Sequence, residues 1–270
     1  MDGREFLASL PEQPTPERDQ RIYEAIVDGH HAPMEFKRIE LASQGKTGSI
    51  EVMLDALKVG DTNPVRVSVR HVPTAQKLAD HFGQLLPTAL ISDQTWLQAD
   101  RQLEPCLQEP DSRMAYTSRM VAEHDQIEAE AKAKGARPGE LLAPVGKDWC
   151  NTRRLIGRPD RSAEYGAQSP KAVHQGVTPG VRVWQPGPSL AHVAGFSDYM
   201  TGKLRFWKRR MQADGAERDA EDVARDPALC WLISSEGTLP ALRHPGLARP
   251  GEETGDVTVD TVRPPNLHFS

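Results

Sequence analysis

Cys150, His192 and Asp198 are the residues whose types and order could carry acyl chemistry. Cys150 stands in Gly146-Lys147-Asp148-Trp149-Cys150-Asn151-Thr152-Arg153-Arg154, after a loop and before a short helical pattern. A thiol at a helix N-terminus faces the positive end of the dipole, and Lys147 with the two arginines would favour the thiolate, the form that attacks carbonyl carbon. A nucleophile needs a base. Further on, the run at 181–184 leads through Pro186-Gly187-Pro188 into residues 189–196, which predicts a hairpin with His192 near the start of its second strand. Asp198 or Tyr199, just beyond, would orient the imidazole, and Lys147 or backbone N–H groups near Cys150 would hold an oxyanion.

The first reading is therefore a cysteine-dependent acyl-transfer enzyme: amide or thioester hydrolysis, transfer or cyclisation through a Cys-His-Asp arrangement. Its substrate would be a small-molecule or peptide-like acyl compound, with no metal or cofactor called for. The second is a non-catalytic binding or accessory protein on the same scaffold. There Trp184, Trp207 and the basic cluster Lys203, Arg205, Lys208, Arg209 and Arg210 would form a partner surface. The plain use of a thiol beside Trp149 is packing, and Asp198 before Tyr199 suits a turn cap.

Other chemistry-bearing residues carry less. Gln44-Gly45-Lys46-Thr47 holds the Gly-Lys-Thr of a phosphate loop, but the glycine needed five positions earlier is Glu40, so a turn between strands is expected. His30-His31 has no partner carboxylate at a metal-site spacing. No CxxC or HExxH occurs, and Cys106 and Cys230 sit in a loop and an apolar run respectively. The basic cluster runs straight into the acids of residues 214–226, which predicts an internally salt-bridged surface.

The elements that must position these residues follow from periodicity. Residues 17–28 predict a helix closed by Gly29, and Thr74 and Thr88 head two more. The Gly- and Pro-free stretch 112–134 predicts a long, half-exposed helix. Alternation at 35–40, 48–53 and 65–70 predicts strands with one wet face, and further strands are expected at 141–145, 181–184, 190–196 and 203–207. The expected fold is α+β: a small antiparallel sheet with flanking helices. Residues 1–16 read as an N-terminal arm and 17–270 as one domain, with possible lobes 17–134 and 140–270 about the break Gly135-Ala136-Arg137-Pro138-Gly139. The tail from Pro245 reads as irregular wrapping chain.

The 270 residues hold 33 Lys+Arg against 38 Asp+Glu, a net charge of −5, with 38% hydrophobic residues. That balance gives no global pull on nucleic acid, which is not expected as a partner. No apolar window of about 18 residues exists and the N-terminus lacks a signal pattern, so a cytoplasmic protein without a membrane span is expected.

A thiol opening a helix, a Pro/Gly turn and then Ala191-His192-Val193-Ala194-Gly195-Phe196 resembles the NlpC/P60 group of papain-like cysteine hydrolases. The resemblance covers about residues 146–200 and implies Cys150 as nucleophile, His192 as base and a papain-like C-terminal half. The family's Asp-Cys-Ser-Gly is here Asp148-Trp149-Cys150-Asn151. A longer stretch, roughly 20–207, resembles a bacterial family without a settled activity. It shares Lys147-Asp148, Tyr165-Gly166, His192, Phe196 in place of Tyr, Asp198, Tyr199 and Gly202. Ala167-Gln168 replaces that family's Trp-His and Met200-Thr201 its Ser-His, and its pattern does not require a cysteine at the place of Cys150. This second resemblance implies that Lys147, Asp148, His192, Asp198 and Tyr199 are the older polar core.

Overall fold

A computed structural model describes residues 1–247. The stretch expected as an arm begins with a helix, Gly3–Ala8, capped by Asp2, whose side chain accepts from the N–H groups of Arg4 and Glu5. Leu7 and Leu10 carry it into the core, so it is part of the domain. The next helix, Pro16–Val27, has Thr15 as its cap, Pro16 in the first turn, and Ile22, Ala25 and Ile26 on its buried face. Helices Val72–His81 and Ala89–Leu97 follow, the second headed by Thr88, and Thr117–Ala133 is the long helix.

Two sheets organise the chain. Strands Phe36–Ser43 and Lys46–Met53 form a hairpin whose turn is Gln44-Gly45, both with positive φ, so the Gly-Lys-Thr sequence is a tight turn. Late strands Trp207–Lys208 and Arg210–Ala213 then pair with Lys46–Met53, Ala216–Asp219 continues the edge, and Gln84–Leu85 closes the other side. A sheet begun in the first half is thus completed by residues beyond 200, and the Gly135–Gly139 break separates no independent lobes.

The second sheet runs, in spatial order, His174–Gln175, Arg182–Ser189, Glu164–Gln168, Lys147–Trp149, Thr201–Lys203. Its pairs are antiparallel except the last, Lys147–Trp149 with Thr201–Lys203, which is parallel. Trp149 is buried in the same core cluster as Ile22, Leu78 and Phe206, which ties this sheet to the helices. The expected hairpin at 181–196 is absent. Pro186, Gly187 and Pro188 lie inside the strand Arg182–Ser189, with a register shift between Gln185 and Ser189, and residues 190–198 are a loop apart from a single bridge at Val193. From residue 248 onward the tail lies outside the described residues.

Candidate functional site

Register decides which side chains can meet. Lys147 pairs with Gly166, Asp148 with Tyr165 and Trp149 with Glu164, and Thr201 pairs with Lys147 on the other edge. Alternation then sorts Lys147, Trp149 and Glu164 to one face and Asp148 and Tyr165 to the other. Positive φ at Gly166 and Ala167 interrupts the alternation, and Gln168 joins Tyr165 on the second face, both bonding Asp93.

The first face gathers four charged or titratable groups. Asp198 caps the turn before Thr201: its Oδ1 accepts from the N–H groups of Met200 at 2.8 Å and Thr201 at 2.7 Å. Its Oδ2 lies 3.5 Å from Lys147 Nζ. Glu164, with its side chain 1% exposed, has Oε2 3.9 Å from His192 Nε2 and 3.4 Å from Thr201 Oγ1, which donates to it. Its other oxygen, Oε1, is buried with no hydrogen-bond partner. Burial pushes the Glu164 carboxyl up to about 7; Lys147 opposes this and Asp198 reinforces it. Burial, then Lys147, pushes the His192 imidazole down, against the pull of Asp198. The imidazole is half-exposed and stacks on Phe196 with centroids 4.0 Å apart. At neutral pH this face holds a neutral imidazole beside a carboxyl poised at its titration point, which is what proton transfer requires.

A cleft of about 440 Å³ opens over Lys147 and Asp198, walled by Leu107, Met114, Trp184 and Tyr199. Tyr199 does not orient His192. Its hydroxyl accepts from the Gln108 N–H at 2.8 Å and its own N–H donates to the Met114 carbonyl, so it braces the cleft wall. Asp198 does not orient the imidazole either, being occupied with Lys147 and the turn.

The second face holds Cys150, and its setting opposes nucleophilic use. The thiol is 4% exposed and packs among Trp96, Ala143, Tyr165, Val181 and Val183. No helix opens at it, since the short 3-10 turn Arg153–Leu155 starts three residues later. Burial, then Asp148, Asp93 and Glu236, pushes this thiol well above its ordinary value, the reverse of what a thiolate needs. Its side chain lies with Tyr165 on one face while His192 lies with Glu164 on the other, so the expected Cys-His-Asp arrangement is not assembled. Cys106 is likewise pushed up to about 12, by burial and then Glu123 and Glu130.

The rest of this second face is a hydrogen-bonded polar network in which burial pushes the Asp93 and Asp148 carboxyls up. Asp93 accepts from the Tyr165 hydroxyl at 2.8 Å, from Gln168 Nε2 at 3.2 Å and from the Thr178 N–H at 2.8 Å. Asp148 accepts from Ser92 Oγ at 2.6 Å. The partner surface expected around Trp207 does not form. That indole is 1% exposed, Lys203 and Arg205 are buried, and Lys208, Arg209 and Arg210 pair with Glu51, Asp219 and Glu217.

A larger cavity, about 590 Å³, opens beside Asp55, Lys58, Arg66 and Glu128. Its charges answer one another: Arg66 reaches Asp55 at 2.5 Å and Glu128 at 2.8 Å, and Lys58 reaches them at 2.9 and 3.1 Å. Burial opposes ionisation of Asp55, yet Arg66 and Lys58 hold its carboxyl below the usual range. Matched charges of this kind build structure and leave no group poised for proton transfer. Among the described residues, no three His, Cys, Asp or Glu side chains are grouped to hold a metal ion, and no helix is long and apolar enough to cross a membrane.

Glu164 and Thr201 are residues of this candidate site that motif reading missed. A signal existed for the first: Ala163-Glu164-Tyr165-Gly166-Ala167 sets one acid in a run of small and apolar residues, and every residue of that strand is buried. Matching to known proteins adds nothing to this geometry: no family model, no curated protein and no solved structure matches the chain.

Proposed function

We propose that the first face is a hydrolytic acyl-transfer site that uses water in place of a thiol. The observation that carries the reading is the approach of His192 Nε2 to Glu164 Oε2 at 3.9 Å, beside a Lys147–Asp198 pair that lines an open cleft. In this reaction water attacks the substrate carbonyl carbon and a C–O bond forms. Neutral His192 takes the water proton, and the Lys147 ammonium stabilises the oxyanion. Collapse breaks the bond to the leaving group, and the imidazolium returns its proton to the departing nitrogen or oxygen. Glu164 faces the imidazolium while it exists, and Asp198 fixes Lys147. A separation of 3.9 Å exceeds a direct hydrogen bond, and such contacts commonly tighten once substrate is bound.

A thiol mechanism on a papain-like C-terminal half finds less support, because Cys150 follows a strand and sits in apolar packing. The binding-protein reading has one observation in its favour. Thr201 stands where the resembled bacterial pattern has a histidine, and a hydroxyl there positions groups without supplying a base.

The test is hydrolysis of a panel of fluorogenic amides, esters and thioesters by the wild type and three variants. His192→Ala should lower kcat/KM by about 10²- to 10⁴-fold. Lys147→Met should lower kcat more than it raises KM, and Cys150→Ala should leave the rate within about threefold. Loss of turnover in Cys150→Ala would restore the thiol mechanism, and full retention in His192→Ala would overturn the reading with His192 as base.

A further inference from the structure

The cleft beside Lys147 has walls of a different character from its floor. Lys147 and Asp198 are its charged floor, whereas Leu107, Met114, Trp184 and Met200 form its sides. Six large apolar residues are exposed among the described residues; Leu107 lines the cleft, and Val193 and Phe196 lie outside its lining on the loop that carries His192. That loop and the one carrying Leu107 are tied together: the Tyr199 N–H donates to the Met114 carbonyl, and the Gln108 N–H donates to the Tyr199 hydroxyl. Leu107 is 56% exposed on one wall, and Val193 and Phe196, at 40% and 36%, stand beside His192. Scattered exposed apolar residues need no explanation, but a concentration around a polar reaction centre marks a surface that something covers.

Size and charge narrow the occupant. A volume of about 440 Å³ is in the range of small-ligand sites and takes a short extended segment with one bulky side chain. Lys147 is matched by Asp198, so the floor offers no unmatched charge to a strongly ionic substrate. We infer that the substrate is a short peptide-like amide carrying a bulky apolar side chain next to the carbonyl that is attacked, seated between Trp184 and Leu107. This rests on the hydrolytic reading above and adds its substrate class.

Two measurements separate the inference from that reading. Binding is followed by NMR line shifts and calorimetry with N-acetyl-leucinamide, N-acetyl-phenylalaninamide, N-acetyl-glycinamide and N-acetyl-glutamamide, none of which needs to turn over. The Leu and Phe amides should bind at least about 10-fold more tightly than the Gly and Glu amides, the discrimination a hydrophobic pocket typically supplies. Trp184→Ala should cut that ratio to about threefold or less. Leu107→Asp, an exposed change that spares the core, should reduce it in the same direction. Turnover is measured on the matching aminoacyl coumarylamides, where kcat/KM should follow the same order. Equal binding of all four amides overturns the inference, as does a ratio that survives both variants. Selective binding with no turnover of any substrate overturns the hydrolytic reading and leaves the apolar-amide specificity standing. Turnover with no preference does the reverse.

Discussion

Two buried glutamates with the same titration point do opposite work. Glu123, on the long helix Thr117–Ala133, touches Lys203 Nζ, and both side chains are essentially inaccessible. Glu164, on the strand Glu164–Gln168, has no cation in contact, because the nearby ammonium of Lys147 is engaged with Asp198. Burial pushes both carboxyls up to about 7, in the first case against the pull of Lys203 and in the second against the more distant Lys147. The difference lies in what happens when the charge is removed. In the first, a counter-charge is stranded, whereas in the second a strained ionisation is relieved. A buried acid with a dedicated partner is a structural element, and one left with an unbonded oxygen beside a half-exposed histidine is available for chemistry.

The largest expected effect tests the first half of that contrast. Above its titration point Glu123 is the counter-charge of the buried Lys203 ammonium, so Glu123→Gln should destabilise the protein by about 3–5 kcal/mol in urea unfolding at pH 9. Glu164→Gln should go the other way. The folded-state carboxyl titrates near 7 and the unfolded one near 4.5, so the folded state holds the proton more tightly and loses stability as pH rises through that window. The amide removes this cost, so the variant should be more stable than wild type at pH 8 by roughly 1–3 kcal/mol, with the gain shrinking at pH 5. An equal effect at both pH values would show that Glu164 contributes packing alone.

The pH profile sharpens the same comparison in activity. His192 acts as a base only while neutral, and burial pushes its imidazole down, so the acid limb of kcat/KM should lie below the ordinary imidazole value. At the pH of that limb the Glu164 carboxyl, titrating near 7, already holds its proton, so Glu164→Gln should leave the limb in place. A limb that moves would show that the two groups titrate as one coupled pair. The smallest effect is expected from Cys150→Ala. Its hydrolytic rate should be essentially unchanged, and the thiol should resist iodoacetamide at neutral pH until the protein unfolds, as mass spectrometry would show.

The helices were legible because their signals are local. The run 17–28 closed by Gly29, Thr88 and the Gly- and Pro-free run before Lys134 mark helices that tertiary packing had no reason to overturn, although Thr15-Pro16, read as arm, is the true start of the first. The hairpin Phe36–Met53 was legible from its alternation for the same reason. The loop around His192 was misread because Pro186-Gly187-Pro188 suits a hairpin turn, yet these residues are absorbed into an irregular strand against Glu164–Gln168. The site itself was half legible. Lys147, His192, Asp198 and Tyr199 were singled out and do cluster, but their roles depend on register. One position along the strand moves a side chain to the opposite face, and that step parts Cys150 from His192. Glu164 escaped notice because its chemistry comes from burial, which no spacing rule encodes.

The parallel pairing of Lys147 with Thr201, and the antiparallel pairing of Lys46–Met53 with residues 207–213, also set the order in which the molecule can be made. Contacts between segments about 50 and 160 residues apart bear the loop-closure entropy of their length and form late. During synthesis the hairpin Phe36–Met53 can pair while most of the chain is unmade, but its partner strands must first leave the ribosome before the sheet is complete. Lys147 and Glu164 likewise remain without Asp198 and Thr201 until that same segment arrives. The face that carries Lys147 and Glu164 and the completed sheet are therefore gained together, late in folding, and a nascent chain has neither.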